Sequence, residues 1–182
     1  MLCLLTPLFL AVAILIWLED GWPILYVQDR VGKNGCIFKF LKFRSMYNDA
    51  DARRAALVEQ YSDSVRFKMA KDPRITRVGR WIRKGSIDEL PQFWNVVKGD
   101  MTIVGPRPAL PDEVSFYTPH QLQRLQVEQG LTCIWQVRGR ALIPFEEQVE
   151  LDLEYIKDQS MWLDLKLVLL TVPAVLSRRG AY

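Results

Sequence analysis

Residues 1–18, MLCLLTPLFLAVAILIWL, contain no charged side chain, and the reading of this stretch decides the fold. Three structures compete for it: a core helix, a secretion signal and a membrane segment. An uncharged run this long is unusual for a core helix. A secretion signal normally has a basic start and a small-residue cleavage site, and neither is evident. At about 1.5 Å rise per residue, a straight helix of this length just reaches across a bilayer core. Pro7 lacks a backbone donor and crowds the preceding turn, so a break is expected at Thr6-Pro7, where the Thr6 hydroxyl can satisfy a freed carbonyl. Trp17 and Trp22 suit headgroup level. The membrane reading is the one we carry forward; the pattern leaves spanning and re-entrant forms open.

Beyond this stretch the chain is charged. All 24 Lys and Arg lie after residue 18, and the 182 residues suit a single domain with a substantial core. Cys3, Cys36 and Cys133 are odd in number and far apart, and His120 is the only histidine. That inventory argues against a disulfide scaffold, a zinc site or a Ser-His-Asp triad, and favours a reducing, cytosol-facing setting.

Asp20-Gly21-Trp22-Pro23 reads as a turn, followed by two strand-like runs, ILYVQDRV and CIFKFLKFRSM, joined by Gly32-Lys33-Asn34-Gly35. Residues 49–60 read as a solvated helix opened by Asp49 or Asp51. From Arg66 to Lys84 there are eight basic residues against Asp72 alone. Further on, LPQFWNVVKGD predicts a helix ending near Gly99, and MTIVGPRPALP a strand and a proline-rich loop. Residues 119–130 predict a helix stopped by Gly130, LTCIWQVRGR a strand or extended loop, and residues 145–158 a long helix. The uncharged tract Leu167–Leu176, ahead of Arg178-Arg179, fits either a membrane surface or the domain core.

The chemistry centres on SIDELPQ, Ser86–Gln92. Ser86 and Glu89 match a capping box, in which both acids would only complement a helix dipole. Pro91 argues against that register, because at the fifth helical position its missing N–H would already be needed. A helix beginning near Pro91 leaves Asp88 and Glu89 at its mouth, a place that favours phosphate chemistry. Adjacent acids point different ways, so one can hold Mg2+ while the other attacks phosphorus. Taken alone the motif divides evenly between cap and chemistry; the arginines tilt it. Arg83 lies five residues upstream, Arg107 is stiffened between Pro106 and Pro108, and Arg140 follows Gly139, together suggesting an anionic pocket. Asp49-Ala50-Asp51 matches the DxD metal motif of many glycosyltransferases, but it opens a polar helix and is read as a helix start.

These residues make the chain recognisable. Asp29-Arg30-Val31-Gly32, Lys42-Phe43-Arg44-Ser45-Met46, Asp72-Pro73-Arg74-Ile75-Thr76-Arg77, Ser86–Gln92, Gly99-Asp100-Met101, Val104-Gly105-Pro106-Arg107-Pro108, Trp135-Gln136-Val137, Gly139-Arg140 and Arg179-Gly180-Ala181-Tyr182 run in order along the chain. Together they closely resemble the bacterial sugar transferases, the monotopic phosphoglycosyl transferases that initiate exopolysaccharide and O-antigen assembly.

The resemblance implies an α+β, mostly helical monotopic membrane protein. Its parts would be a re-entrant helix over residues 1–20, short β-hairpin elements, amphipathic interfacial helices and a catalytic domain over residues 21–182 on the cytoplasmic face of the bacterial inner membrane. It implies Asp88 as nucleophile and Glu89 as Mg2+ ligand. Arg83 and Arg107, with Pro106 and Pro108 around the latter, would bind the nucleotide-sugar phosphates, and Lys42, Gln136 and Arg140 would line the pocket. The implied substrates are a UDP-sugar and polyprenyl phosphate, with a phospholipid membrane as partner, no nucleic acid, and a homodimer compatible with the pattern. Relatives usually begin with a basic-plus-Asp segment ahead of the hydrophobic helix, so a truncated or misassigned start is expected. Cys133 and Arg138 stand where small residues are more usual. Two rivals are a direct metal-dependent glycosyltransferase using Asp49 and Asp51, and a membrane-anchored basic binding module.

Overall fold

Pro7 does not interrupt the first helix. In the computed structural model, which describes residues 2–53 and 72–177, α1 runs unbroken over Leu2–Asp20 with Pro7 inside it. This corrects the expected break at Thr6-Pro7. Six residues from the helix start, proline costs one i→i−4 hydrogen bond, and the leucine-rich flanks carry the helix across it. Among the described residues no helix is long and apolar enough to cross a membrane.

The remaining elements, in chain order, are β1 (Leu25–Val31), β2 (Ile37–Phe43), α2 (Arg77–Lys84), α3 (Gln92–Lys98), β3 (Thr102–Val104), α4 (Pro111–Val114), α5 (Pro119–Leu122), β4 (Gly130–Thr132), α6 (Ile134–Arg138), α7 (Phe145–Asp158) and α8 (Met161–Leu176). The fold is thus mixed helix and sheet. β1 and β2 form a two-stranded sheet, as the hairpin pattern predicts, turning through Asn34 and Gly35, both at positive φ. The described residues divide into two compact units, one of residues 2–26, 42–53 and 72–90, the other of residues 27–41 and 91–177.

In the first unit one stripe of α1 is core. Val12 and Ile16 are buried with Ile24, Phe43 and Ile82, flanked by Leu8, Phe9, Ala13, Val78 and Ile87. Phe9 meets Phe43 edge-on at 5.2 Å between centroids. Leu10, Ile14, Trp17 and Leu18 remain exposed on the same helix. The acids that end α1 fasten it. Glu19 accepts the backbone N–H groups of Arg77 (2.7 Å) and Val78 (2.9 Å), two of the donors that α2 leaves unsatisfied at its start. Thr76 Oγ1 caps Gly79 N–H at 2.8 Å. Gly79 is obligatory, since a Cβ there would lie 2.0 Å from the Ser45 carbonyl oxygen. The buried Arg44 donates to the carbonyls of Asp20 (3.0 Å) and Gly21 (2.8 Å).

The unit ends in the acidic motif. Ser86 is left-handed at φ 52° and caps nothing with its side chain, Ile87–Glu89 form a 3-10 turn, and α3 starts only at Gln92, with Pro91 as its N-cap. The capping box does not form. Residues 50–53 are helical, with Asp49 paired to Arg53 at 2.9 Å, as a helix start requires; the rest of the 49–60 helix, and Arg66 to Lys71 of the basic tract, lie outside the described residues.

In the second unit β3 and β4 pair in parallel, Thr102 with Gly130 and Val104 with Thr132. Gly130 therefore opens a strand, where a helix stop was expected. A Cβ on it would lie 2.1 Å from the Gly105 nitrogen, so close strand approach, not chain termination, explains this glycine. The expected helix over 119–130 shrinks to α5 and a 3-10 turn, Gln123–Gln126. The expected strand after Gly130 stops at Thr132, and α6 takes over. α7 matches its predicted span. Val104, Cys133, Ile134, Trp135, Leu151, Tyr155 and Leu167 form the core. α8 buries Leu167 but leaves Trp162 (80 %), Leu169 (64 %) and Leu176 (75 %) exposed, so the core reading of that tract accounts for one face of the helix only.

Candidate active site

The first unit assembles part of the predicted set. Asp88 is buried in the 3-10 turn and Glu89 half-buried beside it. Lys42, near the end of β2, donates from Nζ to Glu89 Oε1 at 3.1 Å, both side chains about one-fifth exposed. Ile87 packs against the cluster of Val12, Ile16, Ile24, Phe43 and Ile82, so the residue ahead of the dyad is anchored in that core. Arg83 sits in the last turn of α2 and contributes to the field at Asp72. Burial alone would raise the Asp72 carboxyl. The hydrogen bonds and charge of Arg74, with Arg83 behind it, hold it below the usual range. Thr6 and Pro7 are exposed on α1.

The second unit holds Pro106, Arg107, Pro108, Gln136 and Arg140. The backbone around Arg107 is pinned on three sides. Tyr155 donates to Val104 O (3.1 Å), Gly130 N–H to Pro106 O (2.8 Å) and Arg30 Nη1 to Pro108 O (3.0 Å). Pro106 and Pro108 are fully buried, while Arg107 keeps partial exposure. Cys133 donates to Gln136 Oε1 at 3.3 Å, and burial pushes its thiol up, opposed in part by Arg107 and Arg124. Arg138, the other departure, pairs at the surface with Glu154 at 3.6 Å. Arg140 opens a 3-10 turn at φ 54°, an uncommon setting for a residue with a side chain. A hollow of about 440 Å³ in this unit, lined by Asp29, Ile37, Phe38, Lys39, Lys98 and Asp100, includes none of the predicted residues.

Two residues in the loop's support, Tyr155 and Arg30, are invisible as such in the sequence. Tyr155 reads as one apolar position of α7, and only the fold carries its hydroxyl to Val104 O and Asp164 Oδ1, at 3.1 and 2.9 Å. Tyr155→Phe is expected to cost about 1–2 kcal/mol, because it removes the hydroxyl that satisfies the buried Val104 carbonyl and contacts the half-buried Asp164 carboxylate. Urea denaturation of wild type and variant measures this directly.

Among the described residues there is no cluster of three or more His, Cys, Asp or Glu. The paired hard carboxylates of Asp88 and Glu89 are nevertheless the donor type Mg2+ takes when substrate oxygens complete its shell.

A family model described as bacterial sugar transferase matches residues 1–178. The chain is 41 % identical to the UDP-galactose-lipid carrier transferase of Erwinia amylovora, over 100 % of this chain and 39 % of that protein. It is 38 % identical to the exopolysaccharide production protein ExoY of Rhizobium meliloti, over 100 % of this chain and 82 % of ExoY. It is 40 % identical to the undecaprenyl-phosphate galactose phosphotransferase of Salmonella typhimurium, over 99 % of this chain and 40 % of that protein. The chain thus spans less than half of the two longer relatives.

Proposed function

The chain belongs to the bacterial sugar transferase family, and on that premise we propose that it moves a phosphosugar from a UDP-sugar to polyprenyl (undecaprenyl) phosphate. The observation that carries the reading is the acidic pair itself. Asp88 and Glu89 sit in a turn that caps no helix, one buried and the other tied to Lys42.

Asp88 attacks the phosphorus attached to the sugar, the bond from that phosphorus to the UMP oxygen breaks, and an aspartyl-phosphosugar forms. A phosphate oxygen of the lipid then attacks the same phosphorus, releasing Asp88 and yielding the polyprenyl diphosphosugar. Lys42 orients Glu89, the proposed Mg2+ ligand. When bound, the metal offsets negative charge on the phosphoryl oxygens. Arg83 and Arg107 serve as the diphosphate clamps, and the pinned backbone around Arg107 supports that role by limiting reorganisation as charge develops. Gln136 and Arg140, both in the second unit, are proposed as further substrate-binding residues.

The lipid acceptor never leaves the bilayer, so we place α1 in the cytoplasmic leaflet of the bacterial inner membrane. The exposed apolar residues of α1, Leu10, Ile14, Trp17 and Leu18, support that seat. The rival glycosyltransferase reading would use Asp49 and Asp51, of which Asp49 is engaged with Arg53. The nucleotide product separates the two. Incubating the full chain with UDP-sugar, undecaprenyl phosphate and Mg2+ should release UMP; release of UDP overturns the proposal.

A further inference from the structure

α2 carries a second surface that the proposed reaction does not use. Arg77, Arg80, Trp81 and Lys84 are its exposed residues, spaced i, i+3, i+4 and i+7, so they form one face. The opposite face, with Gly79 and Ile82 buried and Val78 partly so, packs on the rest of the first unit. Arg83, which contributes to the field at Asp72, is half-buried and belongs to neither set. Three cations around a tryptophan that is 53 % exposed, with no acid in the helix, make a surface complementary to an anionic boundary.

Glu19, at the polar end of α1, holds the first N–H groups of α2 at 2.7 and 2.9 Å. Ile82 of α2 joins Val12 and Ile16 of α1 in one buried core. The cationic face is thereby fastened to the helix that carries the membrane seat, and its charge complements an anionic headgroup surface.

We propose that Arg77, Arg80, Trp81 and Lys84 form a docking surface for anionic phospholipid headgroups. The inference rests on the membrane seat of α1 given above. It adds a lipid preference that the apolar helix by itself cannot supply.

Vesicle flotation of the full chain tests it, using neutral phosphatidylcholine and the same lipid with roughly a third replaced by phosphatidylglycerol. Wild type should bind both and should bind the anionic vesicles about a hundredfold more tightly at low salt, a gain that shrinks as salt rises. R77Q/R80Q/K84Q should keep its neutral-vesicle affinity, which also reports an intact fold, and lose the gain. R77K/R80K should keep the gain. Absence of the gain in wild type, or its survival in the triple glutamine variant, overturns the inference while leaving the seat of α1 standing. Wild type that stays off neutral vesicles overturns the seat of α1, on which the inference rests. Competition by single-stranded RNA that the triple variant abolishes would reassign the face to nucleic acid.

Discussion

Asp88→Asn is expected to abolish the covalent phosphosugar adduct and to lower turnover roughly a thousandfold or more, as loss of a nucleophile does elsewhere. The exchange is nearly isosteric, which matters because Asp88 is only 7 % exposed and a bulkier change would disturb the turn. What it removes is chemical: a carboxamide cannot become an acyl phosphate. Intact-protein mass spectrometry after incubation with UDP-sugar and Mg2+, without lipid acceptor, reads the adduct directly. Wild type should gain the mass of one phosphosugar and lose it when polyprenyl phosphate is added. An adduct that persists in Asp88→Asn would remove Asp88 from the role. Glu89→Gln provides the contrast. It weakens metal binding and the contact with Lys42 (3.1 Å) but spares the nucleophile, so the adduct should form more slowly and recover as Mg2+ is raised.

What could be read ahead of the structure had a local cause. The hairpin turn at Gly32–Gly35, the α7 span and the stop at Gly99 each depend on residues within a few positions of one another. Pro91 is the clearest case, since one missing donor moved the helix start past the acidic pair and the left-handed Ser86 agrees with it. Pro7 misled because its effect depends on what surrounds the helix, and α1 packs one stripe on its own unit. Gly130 misled because a glycine that ends a helix and one that admits a neighbouring backbone look identical in sequence. The contacts that organise the site regions are long-range: Lys42 with Glu89, Glu19 with Arg77, Tyr155 with Val104. Periodicity carries no information about such pairs. The resemblance named the site residues, but it could not say that Lys42 would meet Glu89 or that three hydrogen bonds would hold the backbone around Arg107.

Removing Arg124 should produce the largest loss of stability, and its size should depend on pH. Arg124 Nη2 lies 2.6 Å from Asp152 Oδ2, with side-chain exposures of 5 % and 0 %. Tyr117 Oη accepts from Arg124 at 3.0 Å, and Phe145 lies under the guanidinium at 5.6 Å. Arg124→Ala leaves Asp152 without its counter-ion in the core, a loss expected to cost about 3–5 kcal/mol. Burial already pushes the Asp152 carboxyl up to about 6, with Arg124 opposing. The folded state therefore holds this proton more tightly than the unfolded chain, and between roughly pH 4 and 6 stability from this group falls as pH rises, then levels off. Without Arg124 the folded carboxyl rises further, and the decline continues toward neutrality. The gap in denaturation midpoint between wild type and Arg124→Ala should accordingly be wider at neutral pH than at mildly acidic pH, where the orphaned carboxyl simply protonates. Equal gaps at the two pH values would mean that Asp152 is not the group left stranded. The double replacement Arg124→Met with Asp152→Leu removes both charges together and should recover much of the stability that the single change loses, because the pair's cost lies in breaking it rather than in its absence.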